Sequence, residues 1–341
     1  MQRKSLGVLY HYLQNKYGLK FSRESLPQSN ISEKQRLWFR QLLAMIQPLK
    51  EIRRQRIAFM LNRDNPLFDI ITSMVEENIQ CIDLLQSHAN QWQQLNKYQP
   101  TVVVSSPSAL LMLAMTDEMK ALPMLNKIVA LGALLDPLDQ QCIEKHLSVP
   151  LQQIYMHQNC IIASTCRYGT LHVNETNLEL EKEWIDPVNK RFIPIITDFS
   201  SENSGKRYKL QNVFKAKTQA CACKAPELAL EKSEGHCEEI FYFPEKGSGK
   251  LKPFFPSFVR QAFMRYAHLI QDYQIIQLTL DRVQIALKGE IDERLFRQVK
   301  ERLEDLFLMQ HVDSPAIDFI SFEERKVTDD QVRRMRRQFI M

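Results

Sequence analysis

Four short apolar runs punctuate the first half of the chain: RIAFML (56–61), IQCIDLL (79–85), TVVVS (101–105) and KIVAL (127–131). Runs that are mostly apolar suit buried strands, covered on both faces. Helical patterns lie between and after them, as in PSALLMLAM following Ser105 and Ser106, and PLDQQCIEKHL from Pro137. A strand–helix–strand succession of this kind predicts a largely parallel sheet in an α/β domain.

The flanking segments follow other rules. Residues 1–30 read as a helix and then an irregular polar stretch, SRESLPQSN. Ser32 with Gln35 three residues on forms a capping box that opens a helix through ISEKQRLWFRQLLAMI. From 150 to 215 short strands take over: LQQIY, IIAST, TLHV, LELEKEW and FIPIIT. Beyond about residue 237 the expected order is a strand at EIFYF (239–243), a helix over 258–268 and strands at IIQLTL (275–280) and VQIAL (283–287). A helix over 293–308 and a strand at AIDFIS (316–321) complete a βαββαβ, ferredoxin-like unit. The predicted organisation is a large domain of mixed sheets over residues 1–236 and a small α+β domain over 237–341, with the hinge in EGHCEE (234–239).

Composition narrows the function classes. A chain of 341 residues, 44% hydrophobic and 25% charged, can bury the cores of about two domains. The net charge of +5 is spread along the sequence except at Arg333, Arg334, Arg336 and Arg337. That run reads as a solvated C-terminal helix, so no nucleic-acid partner is expected. No apolar run approaches the roughly 18 residues of a membrane span, and the opening MQRKSLGVLYHYLQ is broken by His11 and Gln14, unlike a signal peptide. Seven cysteines, an odd number without a secretion signal, point to reduced thiols in a cytoplasmic protein. Only nine glycines are present, and neither GxGxxG nor GxxxxGK[ST] occurs; Gly247-Ser248-Gly249-Lys250 reads as a loop. The usual backbone cradles for phosphate are missing.

The stretch IYMHQNCIIASTC (154–166) places His157, Gln158, Asn159 and Cys160 between two apolar strands. It is either a polar turn or a reaction site without its charged residue. A Cys–His nucleophile pair is disfavoured, because His157 and Cys160 point in different directions along a strand. Downstream, Cys166 and His172 flank a predicted turn, and Cys221 and Cys223 form a CxC pair. Three thiolates and an imidazole are a ligand set suited to tetrahedral Zn²⁺, although spacing alone makes CxC a weak signal and scattered cysteines are commonly small buried apolar residues.

From about Ser29 to Phe339 the sequence resembles the adenylate-forming enzymes, in the branch of phenylacetate–CoA ligases and coenzyme F synthetase-like proteins. The stretches carrying the likeness are IYMHQNCIIASTCRYGTLHVNE, EKEWIDPVNKRFIPIITDFS and KRYKLQNVF. The resemblance implies activation of a carboxylate by ATP as an acyl-adenylate, transfer to a thiol or amine, and a small C-terminal domain that rotates between the two steps. It also implies N-terminal sequence that this chain lacks.

Measured against that family, the catalytic positions are altered. The strand ending in Tyr155 leads into a Thr-Glu-Gly signature over the ATP phosphates; here it reads Gln158-Asn159-Cys160. Magnesium prefers anionic oxygen, which an Asn amide does not supply. The phosphate loop falls in KFSRESLPQSN, with no glycine between Gly18 and Gly132. The acidic clasp of the ribose becomes Asn212, the hinge arginine becomes His236, and the C-terminal lysine becomes Gln331, unless Lys326 or a nearby arginine serves instead. In the same branch a Cys, a Leu-His and a Cys-x-Cys recur where Cys166, His172, Cys221 and Cys223 stand, which implies a structural zinc. Losing one such electrostatic contact typically costs about 10²–10³ in rate. The reading is therefore a ligase-family pseudoenzyme that holds ATP and Mg²⁺ poorly and acts as a binding or scaffold subunit, with a small carboxylic acid as ligand and a protein as partner. The alternative is an active ligase with unusual catalytic residues.

Overall fold

The structure, a computed structural model, describes residues 31–74, 77–116, 119, 121–200, 205–323 and 334–339. The helix and polar stretch expected over residues 1–30 lie outside the described residues.

Helix α1 (Glu33–Ile46) starts at the expected capping box: Ser32 Oγ accepts from the Gln35 amide at 3.2 Å, and Gln35 Oε1 accepts from the Ser32 amide at 2.9 Å. A single helical turn, α2 (Leu49–Ile52), precedes the alternating segment. That segment runs β1 (Ile57–Leu61), α3 (Pro66–Ser73), β2 (Ile79–Asp83), α4 (His88–Tyr98), β3 (Val102–Ser105), α5 (Pro107–Met115), β4 (Lys127–Gly132), α6 (Pro137–His146) and β5 (Leu151–His157). The strands lie parallel in the order β5-β4-β3-β1-β2. Every residue of β1 is buried, and the strand period sends Phe59 into one core layer with Phe39 and Val104, and Met60 into the other with Val103 and Leu110.

At β5 the sheet changes character. β5 pairs parallel with β4 on one side and antiparallel with β6 (Cys160–Thr165) on the other. Only Gln158 and Asn159 connect β5 to β6, since His157 pairs with Cys160. Both have left-handed φ, 47° and 66°, the geometry of a type I′ hairpin turn. The sheet continues through β7 (Leu171–Val173), β8 (Leu178–Asp186), β9 (Arg191–Asp198), β10 (Lys206–Lys209), β11 (Asn212–Ala216) and β12 (Ala229–His236), making one 12-stranded mixed sheet. Tyr155, Phe192, Phe214 and Leu230 form the core of this antiparallel half.

A separate, smaller sheet domain follows. After a 3-10 turn (Cys237–Glu239) come β13 (Phe241–Pro244), β14 (Leu251–Phe254), α7 (Pro256–Met264), β15 (Ile270–Thr279), β16 (Arg282–Gly289), α8 (Glu293–Met309), β17 (Ala316–Ile320) and β18 (Met335–Arg337). The four-stranded sheet has the order β17-β16-β15-β18. Two expectations are corrected here. The EIFYF strand is not part of this sheet: the Gly247–Gly249 loop folds Leu251–Phe254 back on Phe241–Pro244 as a two-stranded hairpin, and the fourth sheet strand comes from the C-terminal arginine run. That run is accordingly not a solvated helix; Met335 to Arg337 form strand β18 and Arg334 is buried. Leu295, Val299, Leu303 and Leu306, at helical spacing on α8, pack into the core with Phe243 and Phe254. Among the described residues no helix is long and apolar enough to cross a membrane.

The left-handed turn makes a stability prediction. Asn tolerates positive φ better than most residues, and Gly better still. Asn159→Gly should raise stability by about 0.5 kcal/mol and Asn159→Val should lower it by about 1–2 kcal/mol in denaturant titration.

Candidate functional site

The parallel strands end on a crevice. The connection from β1 to β2 runs one way along the sheet, and that from β2 to β3 crosses back to the other side of β1. The reversal leaves a topological switch point between the ends of β1 and β3, where open α/β sheets bind ligands. A cavity of about 530 Å³ lies there, lined by Asn62, Asp64 and Asn65 beyond β1, by Ser106 beyond β3, and by Gln158 and Asn159 of the hairpin turn. Asn65 and Ser106 are also the N-caps of α3 and α5: Asn65 Oδ1 accepts from the Leu67 amide at 3.0 Å, and Ser106 Oγ from the Ala109 amide at 3.4 Å. Among its described lining residues Asp64 is the one charged side chain.

Of the positions expected in a nucleotide pocket, Gln158 and Asn159 line this cavity. Asn212 and His236 line a second one of about 200 Å³, which adjoins it through Pro107 and Ala133. Gln331 and Lys326 lie outside the described residues, as does the expected phosphate loop. Asn212 is buried and its Oδ1 accepts the Tyr155 hydroxyl at 2.7 Å, so a side chain of this chain already fills that hydrogen bond. Tyr155 itself packs edge-on against Phe214, with ring centroids 5.9 Å apart.

Cys160 points into the core of the antiparallel half and is 1% exposed. Burial pushes its thiol up to about 12, so it stays protonated and is a poor nucleophile. His157 leans on the Tyr208 ring at 5.4 Å, and burial lowers its pKa. The polar row is thus a turn whose ends pack inward and whose two central amides face the crevice.

The cysteine–histidine set does converge. A tight turn after β6, with Gly169 at φ 73°, carries Cys166; its amide donates to the Thr170 carbonyl at 2.8 Å. His172 sits in β7, paired with Ala229 of β12, and the loop between β11 and β12 brings Cys221 and Cys223 over it. The four ligand atoms all lie within 4.8 Å of one another. Cys166 Sγ is 3.8 Å from Cys221 Sγ, and Cys223 Sγ is 3.3 Å from His172 Nε2. His172 Nδ1 donates to the Glu227 carbonyl at 3.3 Å, which leaves Nε2, on the side of Cys223, as the ligand atom. The Cys223 backbone amide and the Thr170 hydroxyl hold the Cys221 thiol down to about 5, favouring the thiolate a metal requires. This Cys₃His cluster could hold a metal ion.

Sequence reasoning missed Asn62, Asp64, Asn65 and Ser106. Their signal was present in the capping residues just past two apolar strands, but the strand order that makes them neighbours is a tertiary fact.

No protein-family model matches the sequence, and no curated protein matches it. Solved structures do match. 2-Hydroxyisobutyryl-CoA ligase in its postadenylation state superimposes with a TM-score of 0.62 at 11% identity, covering 82% of this chain and 65% of the ligase. The anthranilate CoA ligase AuaEII, in complex with anthranoyl-AMP, gives 0.56 at 14% identity over 85% of this chain and 60% of that one. The amide bond synthetase McbA of Marinactinospora thermotolerans gives 0.57 at 13% identity over 83% and 62%. The chain spans less than two thirds of the length of these proteins. At such identities the likeness is one of architecture: this chain has the fold of the adenylate-forming acyl- and aryl-CoA ligases.

Proposed function

We propose that this chain is a catalytically impaired relative of the adenylate-forming ligases that serves as a binding or scaffold subunit. The observation that carries this reading is the lining of the switch-point crevice. A triphosphate with its magnesium needs cationic side chains and a metal carboxylate. The described lining offers neutral amides, one carboxylate (Asp64) and no cationic side chain, and Asn159 stands where the resemblance expects the metal-holding glutamate. Asn212, at the expected ribose position, is engaged by Tyr155. A single carboxylate suits the crevice better than a nucleotide: the side-chain amides of Asn62, Asn65, Gln158 and Asn159 can donate to it, it sets one negative charge rather than several beside Asp64, and about 530 Å³ is ample for a small acid. A small carboxylic acid is therefore the proposed ligand, and a protein the proposed partner. The proposed domain division is 1–236 and 237–341, and the proposed location is the cytoplasm.

The Cys₃His cluster is read as a structural zinc site. Four ligands complete a tetrahedron and leave no open position for catalysis. At Zn–S distances of about 2.3 Å, tetrahedral geometry puts sulfurs roughly 3.8 Å apart, which matches the Cys166–Cys221 separation of 3.8 Å. Such an ion would tie the β6–β7 turn to the loop that leads into β12.

The competing reading, an active ligase with unusual catalytic residues, draws support from solved neighbours that carry acyl-adenylates, such as AuaEII with anthranoyl-AMP. Calorimetry separates the two. Titration of Mg²⁺–ATP into the purified chain should give no saturable heat, corresponding to a Kd weaker than about 1 mM. Micromolar, magnesium-dependent binding would sink the impaired-enzyme reading and call for a pyrophosphate-release screen over carboxylic acids.

Metal analysis of the same preparation should find about one zinc per chain. Cys221→Ser or Cys223→Ser should lose most of the metal and lower the melting temperature, and strong chelators should have the same effect on the wild type. Wild-type protein purified without metal, and unchanged in stability when zinc is added, would remove the zinc assignment.

A further inference from the structure

The junction between the two sheet domains contains charge that neither the crevice nor the metal cluster uses. Arg334 is 5% exposed and Asp139, in the first turn of α6, is 8% exposed. The guanidinium grips Asp139 with two hydrogen bonds, Nη1 to Oδ2 at 2.9 Å and Nη2 to Oδ1 at 2.7 Å. Its Nε donates to Asp272 of β15 at 2.6 Å, Asp136 lies 3.4 Å away, and the guanidinium carbon sits 5.5 Å from the centre of the Tyr273 ring. A second arginine continues the network. Arg260 of α7 donates to Asp136 at 2.7 Å and to the Glu234 carbonyl at 2.9 Å, with Glu239 at 3.7 Å. Asp136 and Asp139 belong to the large sheet domain, Asp272, Arg260 and Arg334 to the small one. A domain boundary would ordinarily be wetter and less interlocked than this.

Ion pairs alone would not hold such a junction, since separated charges are rehydrated. The apolar contacts supply the driving force. Leu138, between the two aspartates on α6, is buried in the core of the small domain. Ile193 and Val213 of the large sheet pack against Ile240 and Phe255. Given that contact, the two-pronged arginine–carboxylate geometry selects one orientation, because a planar fork meets a carboxylate in few ways. The connecting chain is equally constrained. Gly235 has φ 110°, and the space a Cβ would take is filled by Glu239 Oε2 and the Arg260 guanidinium.

We propose that the Arg334–Asp139 clamp, with Leu138 buried beside it, fixes the C-terminal domain on the large one, so that the two move as a single body. 2-Hydroxyisobutyryl-CoA ligase is known in a postadenylation state and in an open conformation, matching this chain at TM-scores of 0.62 and 0.54. Here the buried clamp holds one arrangement, and the cavity of about 200 Å³ between the domains keeps rigid walls. The inference rests on the impaired-enzyme reading, since an active ligase of this fold would need its small domain to rotate.

The test uses the full-length wild-type chain. Its small-angle scattering should fit one domain arrangement, unchanged by Mg²⁺–ATP or by carboxylic acids. Glu-C protease, which can cut at Glu238 and Glu239 in the connection, should act slowly on the wild type. It should act about tenfold faster on Arg334→Met, with Asp139→Leu/Arg334→Met returned part of the way toward the wild-type rate because the buried Asp139 carboxylate is then no longer left without its partner. Scattering of the wild type that requires a mixture of arrangements would overturn the clamp, as would an Arg334→Met protein cut no faster than wild type. If Arg334→Met does not fold, the wild-type scattering decides.

Discussion

Strand β5 is the element on which the rest depends. It is the last parallel strand of the α/β half and the first antiparallel partner of the meander, so its two edges carry two different hydrogen-bond patterns. Everything assigned to the site hangs from it. Its Tyr155 reaches Asn212 across the antiparallel half, and its last residue opens the turn that rims the switch-point crevice. Its partner β6 ends at Thr165, immediately before Cys166 of the Cys₃His cluster. A register slip of one residue would send Tyr155 and Ile154 to the wrong faces and dismantle the crevice and the cluster together.

The turn after β5 reconciles the two readings that the polar row invited. A two-residue type I′ turn demands positive φ at both positions, and Asn is among the few residues besides Gly that accept it cheaply. The same Asn159 is a poor ligand for magnesium. One residue therefore strengthens the hairpin and weakens the chemistry the resemblance implies. Cys160 follows the same logic, because its side chain completes the apolar core under the sheet rather than facing a substrate.

The Cys₃His cluster and the domain junction lie at opposite ends of β12. Its start, Ala229, pairs with His172 beside the cysteines, and its end delivers Glu234 and Gly235 to Arg260 and Arg191. Arg191 also lies over the rings of Phe255 and Phe258 at 4.5 and 5.2 Å, so the small domain is met by stacking as well as by charge.

Local chemistry was legible in the sequence. The fully apolar runs of β1 and β3 encode burial on both faces, Ser32 and Gln35 encode the start of α1, and the apolar spacing along α8 encodes the face that meets the small sheet. The Cys₃His set was readable too, though only because a family resemblance linked cysteines some fifty residues apart. What the sequence could not determine was every feature that depends on which strands become neighbours. EIFYF has the composition of a sheet strand, yet it pairs with Leu251–Phe254, because the C-terminal arginine run occupies the edge of β15 instead. Arg334 reads as a surface charge until the fold places Asp139, 195 residues away, against it in a buried junction. Strand propensity and caps act over a few residues, whereas sheet order and the burial of a charge are settled only when distant segments compete for the same partners in the folded chain.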